Sequence, residues 1–306
     1  MNKKELIERW VTDPGFTLVQ KEIAKLSKKG GRFNLANSSV GEYCGKIDFR
    51  GIPLDSQTIS GLKFINIDFS FSTFEHSWVE KSIFENCLFE KADFSDFSEH
   101  QDSFTDCVFK DCKFNLSAIG YDGTSFSGCI FENCKFNRTI FNRPEFVDVV
   151  FKNCKIKNID FSASSFENCS FEGVLQDVWF RGGYPLQSEI ERFGIPKKNE
   201  MKNVSFEKAE LIYPTFSNHC DLSTVKINPS GNYYKYDRWK ERLESLESEI
   251  LNWEDKEEKK EAEIFSYSYL VHAKTQEWHI INTNDVERDH GKDIALKIIN
   301  HLNNFS

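Results

Sequence analysis

The sequence predicts a mainly β chain wound as a four-sided solenoid, with helical segments at both ends. Two observations lead there. Apolar residues recur every five positions, as Phe64, Phe69, Phe74, Val79, Phe84, Phe89 and Phe94, in a phase that reaches back to Phe49 and forward to Ile119 with Glu99 as its one break. The beat resumes two residues late at Phe126, runs to Phe171, and returns at Phe206, Leu211 and Phe216. A step of five fits neither the 3.6-residue period of a helix nor the two-residue period of a strand, which leaves an internal repeat. If each five-residue unit forms one side of a square turn, four units make a coil of about 20 residues and coils stack about 4.8 Å apart. Phe64, Phe84 and Phe104 then form one inward ladder, and Phe69, Phe89 and Phe109 the next. Each buried ring removes roughly 150–250 Å² from water, which outweighs local propensity.

The cysteines fit the same frame. Cys87, Cys107, Cys112, Cys129, Cys134, Cys154 and Cys169 each stand two residues before a beat residue, a position that strand alternation also turns inward. Ser82, Ala92, Ser117 and Thr124 occupy equivalent places, so the slot selects small side chains. Thiols stacked in a row cannot converge tetrahedrally at about 2.3 Å on a zinc ion, and coil spacing exceeds the roughly 3.5–4.5 Å between the Cβ atoms of a disulfide. No metal is expected. Nine cysteines, an odd number without a paired framework, suit free thiols in a reducing compartment.

Ahead of the repeats, MNKKELIERW reads as a short helix. Asp13-Pro14 opens a second one that runs to about Lys29 and ends at Gly30-Gly31. Residues 1–30 are expected to cap the open solenoid end, and residues 31–230 to form the coil. The beat fades between Gln176 and Asn203, which predicts a loop, 176–203, thrown out of the coil; Trp179, Arg181 and Tyr184 are its candidate partner-binding residues. Residues 231–306 read as a helical segment. Trp239, Leu243, Leu246, Ile250 and Trp253 alternate four and three apart, a seam for capping or for a homodimer, and a last helix is expected over Asp285–Leu302.

With these residues in place, the chain resembles the pentapeptide repeat family, whose unit is A(D/N)LXX with a central inward Leu or Phe. KADFS at 91–95, NIDFS at 158–162 and KAELI at 208–212 carry the resemblance, with CVFKD and CIFEN as looser versions. It implies a right-handed quadrilateral β-helix. Some family members imitate duplex DNA and bind DNA gyrase or topoisomerase IV, which makes a topoisomerase modulator one expectation.

Chemistry is sparse. There is no phosphate loop, dinucleotide fingerprint, HExxH or zinc-type CxxC pair. GTSFSG at 123–128 lacks the second glycine of a hydrolase elbow. Asp289 beside His290, with His279 nearby, is the one general-base arrangement conceivable in the C-terminal segment. The expectation is a non-catalytic protein with no cofactor. DNA mimicry would rest on a concentrated face such as Glu75, Glu80, Glu85, Glu90, Asp96 and Asp106. Duplex DNA carries one charge per about 1.7 Å, so a rod about 30 Å long needs on the order of 18 negative charges. The whole chain has a net charge of −9. That balance argues against nucleic acid or an anionic membrane as direct ligands. The charged start and the lack of an apolar run near 18 residues predict a cytoplasmic protein.

Overall fold

The computed structural model describes residues 1–27 and 40–305. It winds the beat residues into a parallel β-solenoid with four walls. Wall 1 is a six-stranded parallel sheet in which Phe64, Phe84, Phe104, Phe126, Phe146 and Phe166 lie in register. Wall 2 aligns Phe89, Phe109, Phe131, Phe151 and Phe171, with Phe69 below them. Phe74, Phe94, Phe114, Phe136 and Ile156 face inward from wall 3, and Ile59, Val79, Glu99, Ile119, Phe141 and Phe161 from wall 4.

Inside, the rings stack. Phe89 and Phe109 lie 4.8 Å apart at 3°, Phe109 and Phe131 4.6 Å apart at 6°. The separation is that of hydrogen-bonded strands, so the backbone spacing sets the ring spacing. Neighbouring walls meet at an angle, as Phe89 and Phe94 do at 5.5 Å and 62°, which brings ring edges toward ring faces. The corners follow from the same unit. Two residues after most beat residues the backbone turns left-handed: Asn86, Lys91, Asp96, Gln101 and Asp106 have φ between 52° and 56°. Asn and Asp adopt this conformation cheaply; at Lys91, His76 and Leu116 the packed coil imposes it.

The inward slot before each beat residue is polar in a specific way. Cys107 donates to the Phe84 carbonyl one coil below at 3.4 Å, Cys134 to Phe109 at 3.3 Å, and Ser117 to Phe94 at 2.5 Å. At these positions the small side chain thus also donates to the coil below. All nine cysteines are free, and among the described residues no cluster could hold a metal ion.

Helices α1 (Lys3–Thr12) and α2 (Pro14–Ser27) close the first coil. Asn2 and Glu5 form a capping box on α1. Trp10 meets Phe49 edge to face at 5.6 Å and donates to the Arg50 carbonyl. Arg9 grips the Asp48 carboxylate through both terminal nitrogens. Burial alone would raise that carboxyl, but Arg9 and Arg50 together hold it well below the usual range. Gly51, at φ +76°, lies so close to α1 that a Cβ would sit 2.7 Å from the Leu6 carbonyl carbon. The expected helix end at Gly30-Gly31 and the 30/31 boundary lie outside the described residues.

The other end is closed by an antiparallel ribbon, Tyr233–Tyr236 against His279–Asn282, followed by helices. Asn282 donates to the Leu211 carbonyl, the Tyr213 amide to Asp285, and Gln276 to the Cys220 carbonyl, so this segment supplies partners for the terminal coil. Gln187–Phe193 forms α3, and α4 (Trp239–Ile250), α5 (Lys256–Ala273), α6 (Thr283–His290) and α7 (Lys292–Asn304) complete the helices. In place of one helix over Asp285–Leu302 there are two, because Gly291 turns at φ +82° between them. No helix among the described residues is long and apolar enough to cross a membrane.

Candidate functional site

The phase shift at Gly120 locates the least regular part of the coil. Ala118 pairs with Ser98 but Tyr121 with His100, so a bulge absorbs one of the two extra residues. Gly120 has φ +96°, and a Cβ there would meet Pro144 at 2.4 Å. Against this bulge lies Glu99, the one acidic residue on the beat, 1% exposed. Its carboxyl meets the Gly120 amide and the Thr124 hydroxyl. Asp102, 2% exposed, accepts from the Ser82 and His100 amides. Burial pushes Asp102 up to about 7, and burial together with the Asp102 charge pushes Glu99 well above an ordinary carboxyl. The pair lies inside packed walls, and its observed partners are all groups of the coil itself.

Outside the same wall the insertion folds back. It is shorter than the expected 176–203: Ser170–Arg181 is one continuous strand, with Leu175 over Ile156 and Phe180 over Phe161. That coil takes 19 residues, Phe161 to Phe180, and the beat slips by one, which hides it from a five-residue count. Trp179 and Arg181 thus belong to wall 4. Arg181 donates to both Asp160 oxygens at 2.8 and 3.0 Å and stacks over Trp179 at 4.3 Å, while His272 meets Trp179 from the C-terminal segment. Tyr184 is 8% exposed and donates to Asn142, and burial pushes its phenol up to about 12. Tyr184 thus anchors the insertion to the coil, while Trp179 and Arg181 are engaged on wall 4.

The insertion also exposes two large apolar residues. Leu186 before α3 is 61% exposed and Ile195 after it 84%. Phe193 packs edge to face on Tyr121 at 5.8 Å, and between α3 and wall 4 lies a groove of about 700 Å³ lined by Tyr121, Arg138, Ile140, Asp160, Arg192 and Phe193. Ile140 on its floor is more than half exposed. Sequence reasoning missed Ile140, Leu186 and Ile195; for Ile140 the signal was an apolar residue one position before the beat, where the side chain points outward.

The other expected groups fall elsewhere. Glu75, Glu80, Glu85 and Glu90 follow beat residues on walls 3, 4, 1 and 2, so they ring the coil and form no common face. A step of five turns one wall; only a step of about 20 stays on one. Asp96 and Asp106 sit at left-handed corners. Trp239, Leu243, Leu246 and Ile250 are buried in a second core with α5, α6 and α7, and Trp253 packs against it half-buried. The stripe is thus consumed within the chain and leaves no free dimer seam. His279 is buried beside Trp239, Tyr269 and Phe216, and burial pushes it down to about 3. His290 pairs with Glu261 at 3.1 Å, whereas Asp289 accepts from Tyr213. The Asp289–His290 arrangement is therefore not assembled.

Residues 102–180 match the family model described as a pentapeptide repeat region. Among solved structures, the chain is similar to trypsin-treated QnrB1 carrying R167E, a plasmid-mediated fluoroquinolone resistance protein, at 15% identity and a TM-score of 0.35 over 60% of this chain and 80% of that one. It is also similar to HetL of the cyanobacterium Nostoc sp. strain PCC 7120, a pentapeptide repeat protein involved in heterocyst differentiation regulation, at 11% identity and a TM-score of 0.29 over 61% and 92%. Rfr23 of the cyanobacterium Cyanothece 51142 is similar at 7% identity and a TM-score of 0.17 over 60% and 91%. No curated protein matches the sequence. The same coil continues on both sides of the region that matches the pentapeptide repeat model.

Proposed function

We propose that the protein is a non-catalytic binding module whose wall 4 and insertion receive a protein partner. The groove between α3 and wall 4 carries this reading: it joins exposed Ile140 and the aromatic Phe193 and Tyr121 with Arg138 and Arg192, the mixture of apolar centre and arginine that recognition surfaces favour. The insertion is held by Tyr184 on Asn142 and by Phe193 on Tyr121, so little ordering is needed on binding. Free thiols are in keeping with a reducing, cytoplasmic setting.

DNA gyrase and topoisomerase IV fall within this reading as protein partners. On wall 2 carboxylates alternate with lysines, so a topoisomerase would be engaged through the groove and not through an acidic stripe. The test is affinity capture from cells with the wild-type chain and with Ile140→Asp/Ile195→Asp. Loss of a captured protein with unchanged thermal unfolding supports the proposal. Equal capture by both chains overturns it.

A further inference from the structure

Wall 2 carries a pattern that neither the core nor the insertion uses. One residue before the beat phenylalanines stand Leu88, Val108, Ile130 and Val150, stacked in register on successive coils. One residue after them stand Glu90, Lys110, Glu132, Lys152 and Glu172. Both columns point outward; Ile130 is 39% exposed and the other three apolar residues are half-buried. Lys152 reaches Glu132 at 2.8 Å, whereas Lys110 makes no ion pair among the described residues.

We propose that wall 2 is a self-association surface that pairs with the same wall of a second copy. The columns determine how. A two-fold axis along the strand direction, set between Val108–Lys110 and Ile130–Glu132, reverses the order of the coils but keeps each residue's place along its strand. Val108 of one copy then faces Ile130 of the other, and Leu88 faces Val150. Lys110 faces Glu132, and Glu90 faces Lys152. Symmetry makes each contact twice. Setting the axis on a strand instead puts Lys110 over Lys110 and Glu90 over Glu132, so the alternation of charge requires an axis between strands, and among those only this one pairs all four apolar residues with one another. Two such sheets pack about 10 Å apart. Five coils at about 4.8 Å, each about 10 Å wide, give a contact below the standard interface size, so the dimer belongs to the weak, reversible class.

The test is sedimentation equilibrium of the full chain at up to about 1 mM, where even a millimolar contact is half occupied, with circular dichroism as the control for folding. The wild type dimerises, less so at high salt. Lys110→Glu and Glu132→Lys each weaken the dimer by about tenfold or more, because each places like charges together at two symmetric contacts. The double variant Lys110→Glu/Glu132→Lys, which exchanges the two signs, restores it. A wild-type chain that stays monomeric at the highest concentration overturns the proposal. So does a dimer that the single variants leave intact, since it would use another surface, or a folded double variant that stays monomeric.

Discussion

Raising the pH should weaken the coil at Glu99 and Asp102. Burial pushes Asp102 from 3.8 to about 7, and pushes Glu99 in the same direction. Each carboxyl keeps its proton in the folded chain at a pH where the unfolded chain has released it. The stability they contribute is therefore complete below about pH 4 and is lost as pH climbs through their folded values. At about 1.36 kcal/mol per pH unit, Asp102 alone accounts for about 4 kcal/mol in all. About 3 kcal/mol of that loss falls between pH 5 and 9. His279 acts in the opposite sense, since burial pushes it down to about 3, and Asp48 is held low, so the profile of the wild type alone mixes several groups. The variant Glu99→Gln/Asp102→Asn isolates the pair. Glutamine can accept from the Gly120 amide and donate to Thr124, whose hydroxyl rotates to suit, so it reproduces the protonated acid. Denaturant unfolding followed by circular dichroism at pH 5 and pH 9 should show the variant gaining at least about 3 kcal/mol on the wild type as pH rises. A difference that does not change with pH would refute the claim that both carboxyls are buried with their protons.

Three further outcomes follow from the packing. Phe109→Ala removes a ring stacked between Phe89 and Phe131 and should cost about 3–5 kcal/mol in chemical denaturation. A thiol reagent added to the native chain should modify Cys44 quickly and the eight buried cysteines only on unfolding, because burial also pushes thiols such as Cys169 up, to about 12. Gly51→Ala drives a methyl group into the α1 backbone at a left-handed position, and should lower the melting temperature and expose Trp10 to a fluorescence quencher.

The walls were legible because the signal is local and redundant: each pentad repeats the same inward ring and left-handed corner, so a lost beat at Glu99 does not hide the period. Four things escaped for physical reasons. The coil from Phe161 to Phe180 is one residue short, which shifted Leu175 and Phe180 out of phase and made Trp179 and Arg181 look like loop residues. Carboxylates five apart looked like neighbours, but a square coil sends them to four walls, whereas the self-complementary column of wall 2 joins residues about 20 apart. Helix breaks depend on a single backbone angle, and Gly291 inside a polar stretch gave little to distinguish one helix from two. The groove needed Tyr121 and Phe193 to meet across the insertion, a contact no local pattern encodes.

The central claim is a coil whose corners climb by one strand spacing per turn. Spin labels on Cys44→Ser chains, placed at exposed corner Asn86 and in turn at Asp148, Asn168 or Asn203, measure that climb by electron–electron dipolar spectroscopy. Three, four and five turns predict separations of about 14, 19 and 24 Å, rising by about 4.8 Å per turn. Separations that fail to rise evenly from Asp148 to Asn168 to Asn203, despite the 35 residues between the last two, would contradict the solenoid.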